Sequence, residues 1–154
     1  MLRFICSSNN NISRIRKMVN SLCRYYSPPL VFLAPPSLEG SADGQETQSY
    51  HPFPPPSVLA VPEVSSVLRS LGFGYRAEFI QRTAEMLVAS QGSNIGQGSR
   101  EASEVWLMTL RDVSTSEARE ELLKFVGVGR KVADCILLMS LDKVQSLAHV
   151  SPGY

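Results

Sequence analysis

No acidic side chain precedes Glu39, whereas Arg3, Arg14, Arg16, Lys17 and Arg24 all do. A formal net charge of +1 over 154 residues therefore hides a purely basic start, and a near-neutral total does not argue against a local anionic partner. No apolar run reaches the roughly 18 residues of a membrane span, and the start lacks the apolar stretch of a secretory signal. A soluble chain with no membrane partner is the expectation. The three cysteines, Cys6, Cys23 and Cys135, are odd in number and lack zinc-ligand spacing, so reduced intracellular thiols are expected, with no disulfide framework and no metal. Internal repeats and useful strand alternation are also missing. These absences leave an all-α class.

Proline is plentiful but confined. Nine of the ten prolines fall within residues 27–62, which reads as a linker or loop with little regular structure that interrupts the core. On either side, apolar residues recur at helical spacing. Ile12, Ile15, Val19 and Leu22 mark a basic helix within 1–26 that the preceding asparagines can cap. In 63–143, a short helix stops at Gly72 and Gly74, and Phe79, Ile80, Thr83 and Leu87 line the next. Residues 93–99 form a polar loop. Trp106, Leu107 and Leu110 suggest another short helix, and Ser114 with Glu117 forms a capping box ahead of Ala118, Leu122 and Phe125. The tail, 144–154, shows no pattern.

The most informative stretch is "GVGRKVADC", residues 127–135. A helix ending near Phe125, a glycine turn and a second helix from about Gly129 to Leu141 make a helix-hairpin-helix unit over about 116–141. Gly127 and Gly129 let the backbone take positive φ and bring amide N–H groups close to a ligand. Backed by the positive end of a helix, such amides suit a phosphate. A purely structural turn reads equally well. The pattern is neither a Walker loop nor a dinucleotide fingerprint. Lys131 then sits in the first helical turn, where the macrodipole, Arg130 and burial would all disfavour its ammonium form. That suits an amine nucleophile. The competing readings are a solvated surface lysine, or one paired with Asp134.

"GVGRKVADCILLMSLDKVQ" (127–145) resembles the helix-hairpin-helix signature of the 8-oxoguanine DNA glycosylase/AP lyase family. "LRSLGFGYRAEFI" (68–80) and "FICSSNNNISRI" (4–15) resemble two further family segments in the same order. Outside the linker, the resemblance covers most of 4–143. It implies a base-excision repair enzyme that extrudes oxidised guanine from duplex DNA, cuts the N-glycosidic bond and nicks the abasic strand. The implied partner is duplex DNA with 8-oxoguanine opposite cytosine, or abasic DNA, bound by a monomer without cofactor. Lys131 would attack the sugar C1′, and Cys135 would line the base pocket. Asn9, Arg14 and Arg76 would contact the cytosine, with Tyr75 as an aromatic wedge. Gly127, Val128 and Gly129 would anchor a phosphate. Without the resemblance, Cys135 reads as a small buried hydrophobe, Asn9 as a cap, the arginines as a solvated helix face and Tyr75 as packing.

The chain also departs from the family pattern. Val150 stands where the family has an essential aspartate, and His149 is out of register with the histidine of that motif. The family's β-rich N-terminal domain and its C-terminal helices have no counterpart here. The expectation is a fragment, truncated at both ends and catalytically impaired. The alternative function is a non-catalytic helix-hairpin-helix DNA-binding module. The nucleus is the expected compartment, although the acid-free N-terminus imitates a mitochondrial transit peptide.

Overall fold

A computed structural model describes residues 1–33, 48–89 and 101–143. Among these residues the fold is helical. Its order is α1 (Leu2–Ile5), α2 (Ile12–Tyr26), β1 (Val31–Leu33), β2 (Gln48–Tyr50), α3 (Pro56–Leu59), α4 (Val64–Ser70), α5 (Arg76–Ala89), α6 (Ala102–Thr109), α7 (Thr115–Leu123) and α8 (Arg130–Ser140). The expected all-α class is what is found, with one small antiparallel hairpin pairing Val31 with Tyr50 and Leu33 with Gln48.

α5 is the central element and packs against α1, α3, α4 and α6, while α8 packs on α7 and α1. The cause is its face: Ala77, Ile80, Thr83, Ala84 and Leu87 are buried at helical spacing. Around it, Ile5, Leu22, Leu59, Leu68, Phe73, Leu122, Ile136 and Leu137 are fully buried. At roughly 1.5–3 kcal/mol per buried large apolar side chain, this cluster dominates the favourable side of folding.

Local signals set the helix ends. Asn11 caps α2, its side-chain oxygen accepting from the Arg14 amide at 2.9 Å. The Ser114/Glu117 capping box is reciprocal, with bonds of 3.2 and 2.9 Å. Gly72 and Gly74 both take positive φ, and Phe73 between them is buried. Ile12 is a correction to the sequence reading: it is 84% exposed, because it opens α2 and projects past the core, whereas Met18 and Cys23 join Val19 and Leu22 inside.

The proline-rich segment requires a second correction. It does not merely interrupt the core: α3 begins with Pro56 at its first turn and buries Leu59 completely, and Pro54 is also fully buried. Proline is compatible with a first helical turn because the N–H it lacks has no partner there. Expected features in 93–99 and 144–154, His149 and Val150 among them, lie outside the described residues.

Candidate active site

α7 and α8 form the expected hairpin, and α5 holds it. Thr83 Oγ1, fully buried, donates to the Val126 carbonyl just before the turn. Gly127 follows with φ +79°, and a Cβ built on it would lie 2.7 Å from the Cβ of Phe79. Only glycine meets both demands. Gly129 differs from the expectation of positive φ. It is the extended N-cap of α8, with φ −86° and ψ 178°, and the space around its Cα is open. Val128 is buried and its amide donates to the Phe125 carbonyl at 3.2 Å, so that N–H is already committed. The first amides of α8 have no side-chain cap, which leaves them available to an anion.

Lys131 lies in that first turn. It is exposed, so burial does not contribute to its chemistry as the sequence suggested. Nor does it pair with Asp134, whose Oδ1 accepts from Arg119 Nε at 2.9 Å. Instead, Lys131 Nζ donates to the Ser7 carbonyl at 3.3 Å, across 124 positions of sequence. Cys135, one turn later, is a half-buried free thiol.

The turn after α1 gathers the remaining candidates. Asn9 is exposed and holds φ +45°. Arg76, at the start of α5, is only 3% exposed, which overturns its reading as a solvated arginine. Its Nε and Nη2 donate to the Ser8 carbonyl at 3.0 and 2.5 Å, and Nη2 also donates to the Asn9 carbonyl at 2.9 Å. Tyr75, half exposed, lies with its ring 4.5 Å from the Arg76 guanidinium and edge-on to Phe79. Arg14 Nη2 reaches the Gly72 carbonyl at 3.3 Å. Thus Asn9, Arg76 and Lys131 meet at one turn, with Tyr75 and Arg14 beside it, while Cys135 stands one helical turn further along α8.

The charge arrangement separates this face from the rest. Arg69, Arg82, Arg111, Arg119 and Lys124 are paired with carboxylates. Among the described residues, Arg14, Arg76 and Lys131 are held by backbone carbonyls instead, as is Lys143 elsewhere, at the Arg111 and Val113 carbonyls. A carbonyl orients a cation without cancelling its charge, so the face stays positive. Beside Ser7 opens a cavity of about 760 Å³ lined in part by Phe4, Ile15, Leu87 and Met139, with Cys135 outside its lining. Burial pushes the neighbouring Cys6 thiol up to about 11, against the opposing field of Arg76. That keeps Cys6 a protonated packing residue. Among the described residues, no group of three His, Cys, Asp or Glu side chains is placed to hold a metal ion, and no helix is long and apolar enough to cross a membrane.

Sequence reasoning missed the Ser7 and Ser8 carbonyls as well as the Phe79 and Thr83 contacts to the hairpin. A backbone carbonyl leaves no trace in residue identity. Thr83 did leave one: it is a hydroxyl on an otherwise apolar helix face, which must find an acceptor when buried.

No protein-family model matches the chain. An N-glycosylase/DNA lyase of Saccharomyces cerevisiae is 39% identical over 142 residues, covering 92% of this chain and 34% of the relative. Another, from Arabidopsis thaliana, is 41% identical over 145 residues, covering 93% and 33%. Over the stretch it shares with them, the chain is similar to N-glycosylase/DNA lyases. It spans about a third of the length of these two eukaryotic relatives.

Among solved structures, the 8-oxoguanine glycosylase/lyase of Clostridium acetobutylicum, bound to dsDNA with cytosine opposite 8-oxoG, superposes with a TM-score of 0.66 at 27% identity. The match covers 92% of this chain and 40% of that one. A 3-methyladenine DNA-glycosylase from Archaeoglobus fulgidus, 19% identical with a TM-score of 0.59, shares the fold. The described hairpin is part of the fold shared with these glycosylases.

Proposed function

We propose that this chain forms the lysine-bearing, DNA-gripping part of an 8-oxoguanine DNA glycosylase/AP lyase, acting in base-excision repair in the nucleus. The observation that carries the reading is Lys131: a lysine on the first turn after a glycine hairpin, held among the described residues by a carbonyl and flanked by uncancelled arginine charge. In this proposal residues 1–26 and 63–143 work together, 27–62 spans between them and 144–154 is a divergent tail. Duplex DNA with 8-oxoguanine opposite cytosine, or an abasic site, is the partner, and the chain acts as a monomer.

Each role follows from chemistry. The α8 amides, led by Gly129 with Gly127 and Val128 shaping the turn, would receive a phosphate and fix the register without reading sequence. Asn9, Arg14 and Arg76 would face the cytosine, Tyr75 would fill the vacated stack, and Cys135 would border the base. The Lys131 Nζ lone pair forms the bond to C1′ as the glycosidic bond breaks and the base leaves with the electron pair and a proton. O4′ then departs from C1′ and takes a proton, leaving an iminium. Loss of a C2′ proton expels the 3′ phosphate. An abasic aldehyde reaches the same iminium by losing water, without cutting a glycosidic bond. It is the easier substrate for a chain in which Val150 stands where a carboxylate would stabilise positive charge on the sugar.

The test is borohydride reduction in the presence of abasic duplex. Hydride addition to the iminium should leave a stable protein–DNA adduct, lost in Lys131→Gln, while 8-oxoguanine excision by these 154 residues stays near background. An adduct that survives Lys131→Gln would remove Lys131 from the role. Salt-sensitive binding with no adduct at all would favour a non-catalytic DNA-binding module.

A further inference from the structure

We propose that Arg76 is a positioning residue for Lys131, acting through the Ser7–Asn9 turn; the inference rests on the reading of Lys131 given above. A guanidinium that is 3% exposed and has no carboxylate partner among the described residues is a costly thing to keep. If the site needed only packing, an apolar side chain of similar volume would serve as well or better. What Arg76 supplies is a fork. Its Nε and Nη2 converge on Ser8 O, Nη2 also reaches Asn9 O, and Tyr75 covers the guanidinium at 4.5 Å.

The effect of that fork falls on the preceding peptide. The two pinned carbonyls flank Asn9 at φ +45°, a left-handed conformation that asparagine tolerates and that the fork fixes here. Ser7, immediately before them, presents the carbonyl to which Lys131 Nζ donates at 3.3 Å. Lys131 is exposed on a long flexible stem, and among the described residues that carbonyl is its hydrogen-bond acceptor. Free rotamers would otherwise spread the amine over many positions. Releasing Ser8 and Asn9 would let the turn relax, move Ser7 O and remove the anchor from the amine. α1, which leads into the turn, packs on both α5 and α8, so the two helices carrying Arg76 and Lys131 already share this support. The turn is thus a bridge between a buried cation and an exposed one.

The test is single-turnover adduct formation with abasic duplex under cyanoborohydride, which reduces an iminium and spares the aldehyde, at saturating DNA, for the wild-type chain, Arg76→Gln and Arg76→Lys. Arg76→Lys keeps a buried cation but cannot fork two carbonyls, and it serves if Arg76→Gln does not fold. The positioning role predicts a first-order rate constant at least about tenfold lower in both variants, with near-normal final yield, since misplacing a reacting group by about 1 Å can cost a hundredfold. Hydrogen exchange at the Ser7 and Ser8 amides, which donate to the Phe4 and Ile5 carbonyls, should accelerate in parallel. A merely structural Arg76 would lower the yield and leave the rate constant of the folded fraction unchanged. An Arg76 that serves only to contact DNA would raise the half-saturating DNA concentration and leave the maximal rate unchanged. Either result overturns the proposal while the wild-type adduct, lost in Lys131→Gln, keeps the reading of Lys131 intact. No wild-type adduct would remove both.

Discussion

Two faces of this molecule treat their cations differently. Where α6, α7 and α8 meet, Arg111 binds Asp142 at 2.9 Å, Arg119 binds Asp134 at 2.9 Å and Lys124 binds Glu121 at 2.6 Å. On the face built from the Ser7–Asn9 turn, the start of α5 and the start of α8, Arg14, Arg76 and Lys131 are held by main-chain carbonyls. The first arrangement neutralises charge and contributes modestly to stability. The second fixes charge in place and leaves it uncancelled, as an anionic partner requires. Basic residue counts do not distinguish the two; the carboxylate partners of the first face do, although Lys143 there also donates to carbonyls, those of Arg111 and Val113.

The sharpest way to break the comparison is at the hairpin, where two glycines stand two positions apart. Gly127→Ala should destabilise the fold by about 2–4 kcal/mol, combining a left-handed backbone strain with a forced displacement of Phe79. Thermal unfolding would show this as a clear drop in midpoint. Gly129→Ala should change stability by less than about 1 kcal/mol, because its conformation is ordinary and its surroundings are open. Its effect belongs on DNA. A methyl on the amide face should weaken duplex binding roughly tenfold, near the 1.5 kcal/mol of one charge-assisted hydrogen bond. A salt titration by fluorescence anisotropy separates the two glycines, and equal behaviour in both assays would erase the distinction drawn here.

The smallest effect lies on the carboxylate-rich face. The Glu117 carboxyl is held below its ordinary range by hydrogen bonds from Ser114. The capping box is therefore intact above the unfolded glutamate range and is lost as pH falls through the depressed folded value. Circular dichroism between pH 5 and about 3 should show fraying of α7 in the wild-type chain and a flatter response in Ser114→Ala. The lysine face, held by carbonyls that do not titrate, should keep its local structure through that window.

How much of this was legible depends on range. The α7–turn–α8 hairpin, the capping box, the Asn11 cap and the apolar face of α5 were readable because each is encoded within a few consecutive residues. The proline-rich segment was misread because Leu59 reports its burial only through contacts from distant helices. Gly127 and Gly129 looked alike in sequence and differ because Phe79 stands behind only one of them. Arg76 was a candidate only by resemblance, and its burial and its carbonyl partners, 67 and 68 positions away, are products of the fold. Lys131 was singled out for a partly mistaken reason: it is exposed, and a carbonyl rather than burial sets its place.

The central claim is that one particular amine carries the chemistry, and the chain offers four lysines, Lys17, Lys124, Lys131 and Lys143, beside the Met1 amino group. Lys124 is paired with Glu121, and Lys143 donates to the Arg111 and Val113 carbonyls. The most direct measurement is peptide mapping by mass spectrometry of the borohydride-reduced adduct with abasic duplex. This account predicts that the deoxyribose remnant lies on Lys131 alone. A remnant spread over several lysines, or placed on Lys17, Lys124, Lys143 or the Met1 amino group, would contradict it.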